Sequence, residues 1–268
     1  FGVAILLSMA SFFDLGYNSF HENGNSIYQV YTEVQAPKGP EVTTSQPAPL
    51  AGALKAEVPG VENITRFLEQ EALTIYNEKE INLNAVWLDS EFFEMFTFPV
   101  LKGNELKPLQ EKNSVIVTEN SAGKLFGSIE AVGQTINILI DGKEEPFTVS
   151  AVVGNHEDQN TLEFDIAIPF ENHAGYTANM KTWNAQYHSV YMQLGPSVSV
   201  QQFEKNTQSF TDLHYKKNSE NLKRDGAIPN KDGQFFQIGL LPLKDVHFTS
   251  FRKGYAEVSR VVPYLILG

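Results

Sequence analysis

Pro47–Glu69, "PAPLAGALKAEVPGVENITRFLE", decides the fold class. Proline at 47 and 49 suits the first turn of a helix, where the missing N–H breaks no bond, and Pro59-Gly60 stops it. In between, Leu50, Ala53, Leu54 and Val58 fall on one face. Val61–Glu69 reads as a strand beyond the stop, and Ala72–Tyr76 ("ALTIY") as another. Upstream, Ile27–Val34 ("IYQVYTEV") alternates as a strand, with Tyr28, Val30 and Val34 on one side. The stretch is thus the centre of a strand–helix–strand unit.

Outward from this unit, Asn77–Glu80 ("NEKE") is a polar turn and Ile81–Leu88 ("INLNAVWL") alternates again. The same order returns in the last third. Phe164–Phe170 ("FDIAIPF") alternates through Phe164, Ile166, Ile168 and Phe170, and His188–Leu194 ("HSVYMQL") is a further strand. Ser199 caps a helix on which Val200, Phe203, Thr207, Phe210 and Leu213 line one face. Phe235–Leu243 ("FFQIGLLPL") closes as a strand. Lys216–Gly233 before it is polar throughout and reads as a loop.

The middle differs. Asp89 reads as the N-cap of a short helix carrying Phe92, Phe93 and Phe96. Ser114–Thr118 ("SVIVT") is a buried strand, Thr118 caps the helix Glu119–Phe126, and Gly127 ends it. Thr135–Ile140 and Phe147–Val153 alternate on either side of Asp141-Gly142, a hairpin signal, with the loop continuing through Lys143–Pro146. The fold class is therefore α+β: two strand–helix–strand units share one sheet with both helices on one face, and a smaller α+β unit is inserted between them.

Composition narrows function by exclusion. The chain has 268 residues, enough for one or two cores, and a net charge of −12. That balance argues against nucleic acid as a partner and against docking on anionic lipid through a basic patch. With no cysteine, thiolate nucleophiles, disulfides and Cys-ligated zinc are excluded. Gly133–Lys143 lacks the glycine spacing of a phosphate loop, and neither a G-x-S-x-G elbow nor H-E-x-x-H occurs. The six histidines offer no i,i+4 pair for a metal. Asp158–Asp165 ("DQNTLEFD") is rich in oxygens, but its sixth position is Glu163 where a calcium loop needs glycine, so it reads as a polar turn entering a strand. Phe92, Phe93, Phe96 and Phe98 read as a subdomain core, and Glu69 and Glu71 as solvated charge. No catalytic, cofactor-binding or metal-ligating residue is assigned, no cofactor is expected, and the chain does not read as an enzyme.

Both ends are apolar. Phe1–Phe13 ("FGVAILLSMASFF") admits three readings: the core of a secretory signal, a buried helix, or the outer end of a transmembrane helix. No Lys or Arg occurs from Phe1 to Pro37, while Asp14 and Glu22 follow the run, so this flank reads as outside. Val261–Gly268 ("VVPYLILG") reads as a second span or a final edge strand, with Arg260 just before it. Two spans with a large domain between them is the expectation.

The order of several phrases carries more than any single site. Leu15–Val30 ("LGYNSFHENGNSIYQV") is followed by Pro47–Arg66, then by Trp87–Asn104 ("WLDSEFFEMFTFPVLKGN") and Asn113–Ile138 ("NSVIVTENSAGKLFGSIEAVGQTINI"). Phe147–Phe170 ("FTVSAVVGNHEDQNTLEFDIAIPF") and Leu240–Ser250 ("LLPLKDVHFTS") complete the series. Together, over nearly the whole chain, they resemble the extracytoplasmic core domain of MacB-type, FtsX-like ABC transporter permeases, especially Bacteroidota forms. The resemblance implies an assignment of segments. Residues 1–26 would be the outer end of a first transmembrane helix and its stalk. Residues 27–88 and 164–250 would be the two parts of a porter-like subdomain, 89–163 an inserted sabre-like subdomain, and 251–268 the return stalk and start of a second span. It favours the first of two such domains in a full permease.

The resemblance further implies a place in the bacterial inner membrane with this domain in the periplasm. Expected partners are a separate ATP-binding cassette ATPase subunit, a second permease copy forming a dimer, a periplasmic adaptor or outer-membrane partner, and membrane lipid through the flanking helices. The implied work is mechanotransmission: cytoplasmic ATP hydrolysis would drive efflux or extraction of peptides, antibiotics, lipoproteins or other hydrophobic compounds. The competing readings are an FtsX-like regulator of cell-wall hydrolases and an extracytoplasmic ligand-sensing domain of a membrane receptor.

Overall fold

The computed structural model of the chain describes residues 16–155 and 159–248. The expectations placed on Phe1–Phe13, Val261–Gly268 and Asp158 lie outside the described residues.

Along the chain the first elements are β1 (Ile27–Ala36), β2 (Gly39–Thr43), β3 (Gln46–Pro47), α1 (Leu50–Glu57), β4 (Val61–Tyr76) and β5 (Lys79–Leu88). Next come α2 (Phe92–Met95), β6 (Val100–Gly103), β7 (Ser114–Thr118), α3 (Glu119–Phe126), β8 (Thr135–Ile140) and β9 (Lys143–Val153). Last are β10 (Ile166–Pro169), α4 (Tyr176–Asn179), β11 (Gln186–Leu194), α5 (Val200–His214), α6 (Lys216–Arg224) and β12 (Phe236–Pro242). The chain divides into two compact units, one formed by residues up to Ile64 and from Lys181, the other by Thr65–Met180.

Unit 1 holds the repeated strand–helix–strand pattern. β1 lies between β12 and β11 and is antiparallel to both, and the start of β4 lies beside β11. One core covers one face of this sheet. Leu50, Ala51 and Leu54 of α1 and Phe203 and Phe210 of α5 pack on Val30, Val190, Met192, Ile238 and Leu240. Both helices therefore share a face, as the periodicity implied. Helix α1 starts at Leu50 rather than at Pro47, because Pro47 pairs with Gln186 in β3. Ser199 caps α5 by accepting the Gln202 N–H. Leu213 does not join the buried face and is 66 % exposed. By that turn the helix has rotated Thr211 and the following Tyr215 inward instead. Lys216–Arg224 is a helix, not a loop. Its Lys, Glu, Leu and Arg are good helix formers, and buried Tyr215, stacked on Phe236 at 4.6 Å, anchors its start. Its polarity reflects exposure, since none of its residues is buried.

Two details fix the β12 edge. Tyr31 lies opposite Gly239, and a Cβ at 239 would stand 2.2 Å from the Tyr31 ring, so glycine there admits the ring. On α5, the half-buried Glu204 carboxylate accepts the Leu240 N–H, and burial raises its pKa above the ordinary 4.5 despite that bond. A folded-state pKa above the unfolded one means that stability falls as pH rises through that interval, and the full penalty is carried at neutral pH. Glu204→Gln is therefore expected to raise the melting temperature at pH 7, with the gain shrinking as pH falls toward 4.5. Thermal melts of both proteins from pH 4 to 8 check this, and a constant difference would contradict it.

Unit 2 closes on itself. β4 pairs antiparallel with β5, β5 parallel with β10, β10 antiparallel with β7, and β7 parallel with β9. β8 then bridges β9 back to β4, through Thr74↔Ile138 and Ile75↔Asn137. The six strands form a closed ring, which leaves these strands no open edge along the bridged stretch. β6 adds to β9 outside it. β4 runs unbroken through Gln70-Glu71, where two strands were expected, because β5 pairs along it from Phe67 to Tyr76. The Asp141-Gly142 turn is tight, both residues having positive φ (50° and 74°), and β9 begins at once at Lys143, where a longer loop was expected. Pro146 is tolerated because, counting from the turn, its pair with Asn137 has N–H groups pointing away from the partner strand.

The ring also explains where the chain divides. The sequence drew boundaries after residues 88 and 163, whereas the compact units meet after residues 64 and 180. β5 and β10 read as continuations of the outer repeats, but each supplies a wall of the ring. Against the ring pack α2 and its phenylalanines, where Phe92, Phe96 and Phe98 are buried with Phe67 and Phe164. Thr118 caps α3 by accepting the Ser121 N–H, and Gly127 ends it at φ 71°, as expected.

Candidate functional site

Among the described residues, no group of three His, Cys, Asp or Glu side chains is placed to hold a metal, and no helix is long and apolar enough to cross a membrane. Glu69 and Glu71 are exposed, and Glu69 accepts a bond from Asn84. Asp165, from the oxygen-rich stretch, accepts the Asn84 N–H and the Ser121 hydroxyl and lies 3.6 Å from Lys124, so its oxygens serve the fold.

Two side-chain arrangements tie distant parts of the chain together. The first is a neck in unit 1. β1 and β12 are antiparallel neighbours with Tyr28 opposite Pro242, so the segments before β1 and after β12 leave side by side. They are tied together. Buried Asn18, in the left-handed region at φ 60°, donates to the Leu243 carbonyl at 3.2 Å. Tyr17 stacks on His247 with centroids 3.5 Å apart and planes within 7°. Leu243, Val246 and Phe248 are buried, as is His21 on the other segment. Asparagine suits position 18 because it accepts positive φ better than other side chains.

The second is a clamp in unit 2. Arg66, near the start of that unit's chain, bonds Asp89 in a fork: Nε to Oδ2 at 2.9 Å and Nη2 to Oδ1 at 2.5 Å. The Arg66 backbone N–H adds a third bond to Asp89 at 2.8 Å. The guanidinium lies over the Phe170 ring at 4.2 Å and near the Tyr176 ring at 5.4 Å, and Nη1 reaches the Met180 sulfur at 3.4 Å. Burial alone would lower the arginine's pKa, but the hydrogen bond and charge of Asp89 outweigh it and hold the group charged. Asp89 is therefore not the N-cap of α2, where Glu91 stands with no side-chain capping bond. The carboxylate belongs to Arg66. One sign was in the sequence: an arginine within an otherwise half-buried strand needs a partner acid.

Residues 1–210 match the family model described as the MacB-like periplasmic core domain. The chain belongs to that family. No curated protein is detectably similar in sequence. A domain of a permease protein from Porphyromonas gingivalis is 17 % identical, covers 83 % of this chain and 91 % of its own, and superposes with a TM-score of 0.61. The extracellular domain of the noncanonic ABC-type transporter YknZ from Gram-positive bacteria is 15 % identical, with 79 % and 98 % covered and a TM-score of 0.50. The periplasmic region of MacB from Actinobacillus actinomycetemcomitans is also 15 % identical, with 79 % and 88 % covered and a TM-score of 0.43. Membership confirms the family read from the ordered phrases, and the α+β fold with its porter-like and sabre-like parts holds as expected. This MacB-like core domain is a periplasmic part of the ABC transporter permease family. Membership points to a non-enzymatic domain and implies partnership with an ATPase.

Proposed function

We propose that this domain is the periplasmic lever of an inner-membrane permease dimer, driven by a separate ATP-binding cassette subunit and moving as its flanking helices move. The observation that carries the reading is the neck. The two segments that lead toward the apolar runs are bound to each other by Asn18–Leu243 and Tyr17–His247. Displacement of either segment thus reaches β1 and β12, which pair along seven positions from Tyr28↔Pro242 to Val34↔Phe236. The work done is efflux or extraction of a peptide, lipoprotein or other hydrophobic compound, with a periplasmic adaptor or outer-membrane protein receiving it. The assignment of residues 1–26 and 251–268 to stalks and spans belongs to the same proposal.

The test is affinity purification of the full-length protein from native membranes in mild detergent, with mass spectrometry of what accompanies it. A stoichiometric ATP-binding cassette subunit is expected. Recovery of a signalling protein and no ATPase would sink the transporter reading and favour a sensor. A neck variant then probes the lever itself. Asn18→Leu removes the amide that holds the Leu243 carbonyl and forces a left-handed leucine, together costing about 2–4 kcal/mol locally. ATP hydrolysis by the complex should persist while transport falls. Unchanged transport would show that force does not pass through this neck.

A further inference from the structure

The four methionines of the chain are not equivalent. Met95 on α2 and Met192 on β11 have no exposed surface, whereas Met180 is half-buried. Met9 lies outside the described residues. With no cysteine in the chain, methionine offers an oxidant its only sulfur. The domain belongs to the periplasm, outside the reducing cytosol.

What Met180 touches sets it further apart. It follows α4, and its N–H donates to the Tyr176 carbonyl, so its backbone is held. Its sulfur accepts from Arg66 Nη1 at 3.4 Å. Elsewhere the guanidinium is well occupied, with Nε and Nη2 on the Asp89 carboxylate and its face over Phe170 at 4.2 Å. Against that carboxylate the thioether is a weak acceptor. In an apolar core a sulfoxide is disruptive, because its oxygen is buried with no donor to meet it. Beside Met180 a cation's N–H already points at the sulfur. The methionine side chain is flexible, and a small retreat of its sulfur toward solvent leaves room for an N–H···O bond of about 2.9 Å. The weak contact then becomes a charge-assisted bond between the end of α4 and β4.

We propose that Met180 is a reversible oxidation site whose sulfoxide tightens the Arg66 clamp, so that peroxide in the periplasm strengthens unit 2. A sulfur lone pair attacks one oxygen of hydrogen peroxide, the S–O bond forms and the O–O bond breaks. After proton transfer the other oxygen leaves as water, so sulfur is oxidised by two electrons and peroxide is reduced by two. Reduction of the sulfoxide restores the thioether. The site is independent of the neck and of the lever reading, since it is read on unit 2 alone.

The test treats the folded full chain with hydrogen peroxide and maps the products by peptide mass spectrometry. Met180 should oxidise at least about tenfold faster than Met95 and Met192, which an oxidant reaches only through opening of the fold, and the three rates should converge in denaturing urea. Thermal unfolding of unit 2 is then followed at Trp87 in a Trp183→Phe background, these being the two tryptophans of the chain. The oxidised protein should melt about 2–4 °C higher. Met180→Gln should show a similar rise without peroxide, because Cδ of glutamine stands where the sulfur was and Oε1 where the sulfoxide oxygen would be. Met180→Leu should show no rise on oxidation. Position 180 is half-buried, so both variants are expected to fold. Equal oxidation rates in the folded protein would overturn the proposal, as would a melting temperature that oxidation of Met180 leaves unchanged or lowers. A glutamine variant no more stable than the parent would overturn it too. So would the same rise in Met180→Leu, which would place the effect at another methionine.

Discussion

Phe92→Ala is expected to destabilise unit 2 by about 3–5 kcal/mol, the range for emptying a fully buried aromatic site. Phe92 has no exposed surface and touches five other rings: Phe96 at 4.6 Å, Phe93 at 5.2 Å, Phe98 at 5.4 Å, Phe67 at 5.8 Å and Phe164 at 6.4 Å. These rings come from β4, from α2 and the segment after it, and from the segment before β10, so no single element can collapse into the space. Urea unfolding followed at Trp87, which lies in this unit, reads the loss directly. A midpoint shift equivalent to less than about 1 kcal/mol would show that the ring cluster repacks around the gap.

Gly103→Ala is expected to cost about 3 kcal/mol or more, through the backbone rather than through lost packing. Gly103 lies opposite Ala151 in the β6–β9 ladder with φ at 103°. A Cβ there would stand 2.4 Å from the Ser150 carbonyl oxygen and 2.8 Å from the Ala151 Cα, and main-chain atoms in a ladder cannot swing aside. Gly142→Ala is the comparison. It also has positive φ, at 74°, but nothing lies within 4 Å of its Cβ position, so only the conformational penalty of about 1–2 kcal/mol applies. Thermal melts of both variants check the difference. Equal losses would mean that β6 peels from β9 without consequence for the ring.

Local signals in the chain were read correctly where one element sufficed to explain them. Thr118 and Ser199 cap their helices because a short hydroxyl ahead of a helix has its N–H donors within reach. Asp141-Gly142 turns the chain because both residues tolerate positive φ. The errors arose where a residue's partner is distant in sequence. Asp89 has the composition of a cap and the position of one, yet Arg66, across the hairpin, offers it a charged fork. Leu213 fits the apolar stripe of α5, yet no element covers it at that turn. The polar run from Lys216 has no apolar stripe, which is the mark of a loop and equally of a helix exposed all round.

By itself, then, the sequence determined the helix and strand units, their α+β class and, through the order of its phrases, the family. Alternation, caps and turn residues act within a few positions, so they can be read from neighbours. Tertiary structure alone decided that β4, β5 and β10 join the inserted unit and that β8 closes a ring. Those outcomes rest on pairings such as Thr74↔Ile138 and Ile166↔Val117, between strands dozens of residues apart. It likewise decided the neck, where Asn18 meets Leu243 only after the sheets have formed. A strand's period says which side chains share a face, but not which strand will lie beside it.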